Sequence, residues 1–287
     1  MSLRFFSLCR AIVKPSYILL MQEIITSTKN PGIKHLIRLQ QKSADRKEEG
    51  LFVVEGRREL QHCLDAGYSI DTLFVNNAMD VIHDLPTIAG SRMFRVSPEV
   101  YEKIAYRGST EGVTAIVKSR CNGLSTLTLP HDALIVVLEG VEKPGNVGAV
   151  LRSADAAGVD AVIICDPLTD LYNPNLIRAS LGASFTVPCA VADTEECIAF
   201  LRKNHVAILT AQLQDSTLYY DTPMTSATAI IMGTEATGLT QRWRDVADAH
   251  IRIPMCGQLD SLNVSVSAAI LMFEAVRQRQ QHDLRNP

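Results

Sequence analysis

Apolar and polar positions divide this chain into two differently patterned stretches. From residue 30 to about 118 the elements are mixed. PGIKHLIRLQQ spaces its apolar residues three and four apart, LFVVEG is a short apolar run, RRELQHCLDAG returns to helical spacing and stops at Gly67, and IDTLFV is strand-like again. Ser97 ahead of Pro98 and Glu99 has the form of an N-cap followed by proline at the first helical position, so PEVYEKIAY reads as a helix. GVTAIVK closes the unit as a strand. These elements predict a small α/β domain over residues 22–119.

RCNGLSTLTLPHD, residues 120–132, is rich in Ser, Thr, Asn, Gly and Pro, has no sustained period, and reads as a linker. From Ala133 strands and helices alternate: LIVVLEG, a helix from Asn146, AVIIC, a helix from Asn173 and Pro174, SFTVPCA, a helix around EECIAFLRKN, HVAILTA, AIIMG, a short helix near QRWRDVA, HIRIPM, and a long helix from about Ser261. Continuous apolar strands alternating with helices predict a mostly parallel sheet covered on both faces, over residues 133–287. The last helix, LNVSVSAAILMFEAVRQRQ, is apolar nearly all round to Val276 and must be buried on more than one side, within the domain or at a subunit interface.

Composition narrows the function classes. With 287 residues, 47% hydrophobic and 21% charged, the chain can bury a substantial core and is not a disordered protein. A formal net charge of −3 supplies no global attraction to nucleic acid, so any polyanion has to be held by a local basic patch. Such residues concentrate near the start: Lys29, Lys34, Arg38, Lys42, Arg46, Lys47, Arg57 and Arg58, interspersed with acids. Seven scattered cysteines without a CxxC pair indicate a reducing compartment, and the histidines lack zinc spacing, so no metal is expected. Cys165 and Cys189 end apolar runs and read as core thiols. Residues 1–21 stand apart as an N-terminal extension. Arg4, Arg10 and Lys14 without an acid give it the bias of a transit peptide, but Met21 opens a more ordinary start, and an upstream extension is the preferred reading. No apolar run approaches membrane-spanning length, and a cytoplasmic location is expected.

Ligands of open parallel sheets gather beyond the C-terminal ends of the strands. Three loops there carry polar and glycine residues: 139–152 after LIVVLEG, 233–239 after AIIM, and 253–269. EGVEKPGNVGAVLRSADAAG does not fit the GxGxxG fingerprint of a dinucleotide site, and GTEATG lacks the lysine and hydroxyl of a P-loop.

NVGAVLR, IMGTEATGL and IPMCGQLDSLNVSVSAA resemble, in order, the three motifs of the SpoU, or TrmH-like, RNA ribose 2′-O-methyltransferases of the SPOUT class. FVVEGRREL, residues 52–60, is similar to that family's N-terminal substrate-binding domain of ribosomal-protein L30e type. The resemblance implies a C-terminal domain tied in a deep trefoil knot, S-adenosylmethionine (S-adenosyl-L-methionine) held bent in the knotted loops, and a homodimer formed through that domain. It also implies methyl transfer to a ribose 2′-OH, of ribosomal RNA more than transfer RNA, because a second module gives a large target something to hold. A non-catalytic RNA-binding or ribosome-assembly protein on the same fold is the alternative.

By the same resemblance Arg152 is the catalytic arginine, reaching the partner subunit's active site, with Asn146, Glu235, Ser261 and Asn263 around it. A guanidinium stays protonated, so its expected role is to hold a phosphate and stabilise the developing alkoxide, with Glu235 orienting it. Asn146 and Arg152, six residues apart, are expected to look toward one end of the sheet, while Ala149, Ala156 and Ala157 permit tight packing. Gly233, Gly238 and Gly257 are expected to bring backbone close to the cofactor, and Ile231, Ile253, Met255 and Leu262 to wall it. Arg57, Arg58 and Arg107 are the expected RNA contacts.

Overall fold

The computed structural model describes residues 24–79, 91–105 and 111–285. Arg107 lies outside them. The N-terminal module runs α1 (Pro31–Gln41), α2 (Ser43–Glu49), β1 (Leu51–Glu55), α3 (Arg57–Asp65), β2 (Ile70–Asn76), β3 (Arg92–Val96), α4 (Pro98–Ile104) and β4 (Val113–Lys118). Its sheet has the order β1-β4-β2-β3, with β4 antiparallel to both neighbours and β2 parallel to β3. Alternate strand residues feed opposite faces. Val53, Phe74 and Ile116 meet α1 on one face, whereas Phe52, Val54 and Leu73 meet α3 on the other. Ser97 caps α4 as its sequence predicts, accepting from the Val100 N–H at 3.4 Å. Sequence reading missed α2, whose SADRKEE carries too few apolar residues to show a period, and β3.

The 120–132 segment lies against the second module. It contains a 3-10 turn at Leu124–Thr126, its leucines 124, 127 and 129 pack on the core, and the Asn122 carbonyl accepts from the Val191 N–H at 2.6 Å. Beyond it come β5 (Leu134–Glu139), α5 (Pro144–Ala157), β6 (Ala161–Cys165), α6 (Pro174–Ser180), α7 (Ala183–Thr186) and β7 (Cys189–Ala192). Then follow α8 (Thr194–Lys203), β8 (Ala207–Ala211), β9 (Thr217–Leu218), β10 (Thr228–Met232), α9 (Gln241–Val246), β11 (Ala249–Arg252) and α10 (Val264–Arg285). The seven strands are all parallel, in the order β7-β6-β5-β10-β8-β11-β9. β5, β6 and β10 are buried along their whole length, because helices cover both faces of the sheet. From β5 the chain winds outward to β7, crosses back to β8, and later fills the gap with β10. The direction of winding therefore changes between β5 and β10.

Three boundaries differ from expectation. α5 opens at Pro144, ahead of Asn146, because proline's fixed φ suits the first turn. SFTVPCA is not one strand: its first half is the helical turn α7, entered through Gly182 at φ +90°, and the strand begins at Cys189. α10 starts at Val264 and not Ser261, since Asn263 Oδ1 accepts from the Ser265 N–H at 3.0 Å and so caps the helix.

The modules share one continuous interface. Phe52 stacks on Tyr172 at 4.3 Å between ring centroids, with Phe185 and Tyr68 alongside. Arg46, only 4% exposed, donates to Asp170 Oδ2 at 2.6 Å and to the Leu39 carbonyl at 2.6 Å. This basic residue is therefore committed to the domain interface and is not a free contact for RNA. Arg178 reaches Glu55 across the same boundary at 3.0 Å. Cys165 is fully buried; a hydrogen bond with Cys197 and desolvation push its thiol pKa up. Burial pushes Cys189 up to about 12. Among the described residues no cluster of three or more His, Cys, Asp or Glu is placed to hold a metal ion, and no helix is long and apolar enough to cross a membrane.

Candidate active site

The loops that follow β5, β10 and β11 all leave the C-terminal edge of the sheet, at the place where the winding changes direction. That is where the fold exposes backbone groups without a strand partner. Glu235 ties the three together. Its Oε1 accepts from Asn146 Nδ2 at 3.1 Å and from Asn263 Nδ2 at 2.8 Å, and Lys143 Nζ lies 3.3 Å from Oε2. Asn263 Nδ2 also reaches Asn146 Oδ1 at 3.2 Å. The Lys143 ammonium, and after it the Val264 N–H at the start of α10, hold the Glu235 carboxyl below the usual carboxylate range. Glu235 is thus a carboxylate at neutral pH, with its lone pairs already engaged.

The loop after β10 doubles back on itself. Thr234 and Gly238 exchange backbone hydrogen bonds of 3.2 and 3.1 Å, and Gly238 adopts φ +69°. Gly233 is required by space: a Cβ there would stand 2.3 Å from the Gly238 carbonyl carbon. Below the turn Glu139, at the end of β5, is buried and accepts from the Thr240 N–H at 2.9 Å and its hydroxyl at 2.7 Å. The two strands flanking the change of winding are pinned together by that carboxylate.

These loops enclose a cavity of about 370 Å³. Gly233, Gly238, Ile253, Met255 and Leu262 line it, as does Ser261, whose hydroxyl lies 3.4 Å from Asp260 Oδ1. Two of the expected cofactor residues do not line it. Ile231 is fully buried among Trp243 and its neighbours on the other face of β10, and the adjacent Met232 lines the cavity instead. One step along a strand reverses the side a residue faces. Gly257 is outside the lining; nothing lies within 4 Å of where its Cβ would be, and its φ is not left-handed.

Arg152 is exposed on α5 and makes no hydrogen bond or ion pair among the described residues. It does not touch Glu235 of its own chain. Six residues at 100° each leave it about 120° around the helix from Asn146. At the start of α3, the Arg57 N–H donates to Glu111 Oε2, and Arg58 pairs with Glu59 at 2.7 Å. Sequence reading missed Lys143, three residues ahead of the NVGAVLR motif, and Glu139, whose apolar surroundings hid it. It also missed the turn after β8, where Gln212 lines the cavity, and Arg244 of α9. Neither of those two stretches carries glycine or a motif.

Four loops at the carboxyl edge of a parallel sheet, enclosing a cavity of mixed polarity, with a second α/β module docked alongside, define a two-module α/β protein with a small-molecule-sized cavity where ligands of such sheets gather. Residues 133–273 match the model of the SpoU rRNA Methylase family, and residues 30–115 match that of the MRM3-like substrate binding domain. The chain is 34% identical over 197 residues to the 23S rRNA (guanosine-2′-O-)-methyltransferase RlmB of Bordetella pertussis, covering 67% of this chain and 80% of that one. It is 26% identical over 249 residues to the 23S rRNA (guanosine(2553)-2′-O)-methyltransferase RlmP of Bacillus subtilis, covering 87% and 97%. The crystal structure of an AdoMet-bound rRNA methyltransferase from Sinorhizobium meliloti superposes with a TM-score of 0.82 at 30% identity, covering 89% of this chain and 97% of that one. The chain belongs to the SpoU rRNA methylase family.

Proposed function

We propose that this protein transfers a methyl group from S-adenosylmethionine to a ribose 2′-OH of ribosomal RNA, as a homodimer in which Arg152 of one copy serves the cofactor cavity of the other. The observation that carries this reading is the meeting of all three motif loops on Glu235 at the mouth of the cavity. The relatives' names supply the substrate class.

The cavity suits the cofactor. Leu239, Ile253 and Leu271 offer an apolar wall, the 233–238 turn leaves no room for a side chain at Gly233, and two lining residues, Gln212 and Arg244, each carry a buried polar atom without a partner among the described residues. S-adenosylmethionine supplies, when bound, an electrophilic methyl on a sulfonium. The chain's own residues then orient and stabilise. Glu235, ionised and saturated with donors, organises Lys143, Asn146 and Asn263 and is not the general base. Ser261 offers its hydroxyl toward the cavity. Arg152 cannot accept a proton; it holds a backbone phosphate and lowers the energy of the 2′-oxyanion as the hydroxyl proton passes to solvent water.

Support for a second copy comes from two observations. Arg152 has no partner among the described residues, and α10 buries the stripe Val264, Ala268, Leu271, Met272 and Ala275 while leaving Val266 and Phe273 about half exposed. The reading includes the threaded C-terminal segment implied by the family motifs, RNA contacts from Arg57, Arg58 and Arg107, and a cytoplasmic location.

The test is transfer of tritiated methyl to ribosomal RNA, with the modified nucleotide mapped. Arg152→Ala should lower turnover about 10²–10³-fold and leave cofactor affinity unchanged. Mixing Arg152→Ala copies with Gly233→Val copies should restore about a quarter of wild-type activity, through mixed dimers with one complete site. Failure of the intact protein to bind the cofactor or methylate RNA would end the proposal; no recovery on mixing would end the shared site.

A further inference from the structure

Four side-chain polar atoms among the described residues are buried without a hydrogen-bond partner: Thr114 Oγ1, Trp243 Nε1, Gln212 Oε1 and Arg244 Nε. The first two belong to side chains packed in the cores of their own modules. The other two belong to residues lining the cofactor cavity. Buried polar groups left unpaired are costly, and the cost is greatest for a charged group.

Local structure sets each of them. Gln212 follows β8, and its N–H donates to the Ile251 carbonyl at 2.9 Å, continuing the ladder with β11. Its Nε2 donates to the Gln214 carbonyl at 2.9 Å. That bond fixes which end of the amide is which and leaves Oε1 as an acceptor in need of an N–H or O–H. Arg244 stands on α9 beside the 233–238 turn, one Nη lying 3.8 Å from where a Cβ of Gly238 would be. The neighbouring arginines are paired, Arg242 with Glu195 at 2.6 Å and Arg202 with Asp248 at 2.8 Å. Arg244 has no carboxylate and no side-chain hydrogen bond among the described residues. Here is a guanidinium, charged at any ordinary pH, on a residue that lines the cavity and without an acid to neutralise it.

We propose that Arg244 and Gln212 bind the amino-acid end of the cofactor, Arg244 pairing with its carboxylate and Gln212 Oε1 accepting from its ammonium. This rests on the methyltransferase reading and adds to it the residues that recognise the zwitterion. The carboxylate is the cofactor's one anionic group, and thus the natural partner for a cation left without an acid. An RNA phosphate is the competing anion. It is presented at the outer surface, whereas Arg244 is one of the residues lining the cavity.

Calorimetry with two ligands separates the possibilities without reference to activity. S-adenosylhomocysteine carries the amino-acid end; 5′-methylthioadenosine lacks it and keeps the nucleoside. Arg244→Leu should weaken the first about tenfold or more, and Gln212→Leu several-fold, while neither changes affinity for the second. Retained 5′-methylthioadenosine binding also reports that the variant is folded. Arg244→Lys, which keeps the charge, should recover part of the loss. Against decarboxylated S-adenosylmethionine, wild type should bind at least tenfold more weakly than to the intact cofactor, and Arg244→Leu should bind the two alike. Equal weakening of both ligands would overturn the inference in favour of a wall role. Unchanged S-adenosylhomocysteine affinity with weakened RNA binding would overturn it in favour of a phosphate. If the unaltered protein bound neither ligand, the methyltransferase reading itself would fail, and this inference with it.

Discussion

Glu235 works through the groups around it. Its pKa lies below the usual carboxylate value because Lys143 and the Val264 N–H favour the charged form. A depressed pKa makes its contribution to loop order fully present above the ordinary glutamate value, near 4.3, and lost as pH falls through the lower folded value. Side-chain amide signals of Asn146 and Asn263, followed by NMR, should therefore hold their neutral-pH positions through pH 5 and move only in stronger acid. Lys143→Gln should shift that midpoint upward; an unchanged midpoint would remove Lys143 as the cause. Gly233→Ala has nowhere to put its methyl except into the Gly238 backbone, and should abolish cofactor binding measured by calorimetry. The motif residues were legible at this scale because each sits in a loop whose residue types leave few alternatives. Ile231 was not, since an apolar run does not show which of its members faces which side.

Small residues in α5 have a more specific cause than the sequence suggests. Ala156 is exposed and carries no packing. The close approach is at Gly148, where a Cβ would stand 2.5 Å from the Leu176 carbonyl and 2.7 Å from Ala179 Cβ of α6. Gly148→Ala should cost about 1–3 kcal/mol in urea unfolding, read from Trp243, the chain's single tryptophan, which is fully buried in the C-terminal module. Because α5 also carries Asn146 and Arg152, displacing it should lower methyl transfer as well. Alternation of strands and helices was legible because parallel strands are apolar throughout, and Asn173 and Asp193 cap α6 and α8 between them. α7 was hidden because a stretch as short as ASFT is as compatible with one helical turn as with a strand.

At the scale of the whole molecule, the buried Arg46–Asp170 pair joins the two modules, with side chains 3% and 8% exposed. Removing one partner leaves the other charge buried, so Asp170→Ala should destabilise by about 3–5 kcal/mol in chemical denaturation, whereas Arg46→Met with Asp170→Leu should recover much of it. A double variant no better than the single would show that hydrogen bonds from Arg46 to the Leu39 and Gln40 carbonyls matter more than charge. For the proposed dimer, Phe273→Glu on the exposed side of α10 should give a monomer in sedimentation, and lose methyl transfer while retaining cofactor binding. A dimer that survives this change uses another face.

What the sequence determined by itself is local: periodicity and caps define most helices and strands, and residue types in three loops define the chemistry. Each of those signals is contained within a dozen or so neighbouring positions. Tertiary structure decided which of them meet. Asn146 and Glu235 are 89 positions apart and Asn146 and Asn263 are 117 apart, yet one carboxylate binds both asparagines. That meeting depends on β10 entering between β5 and β8, and strand order is a property of the assembled sheet, to which no local pattern responds. The same holds for Gln212 and Arg244, ordinary polar residues in sequence, which line one cavity only once four loops have come together.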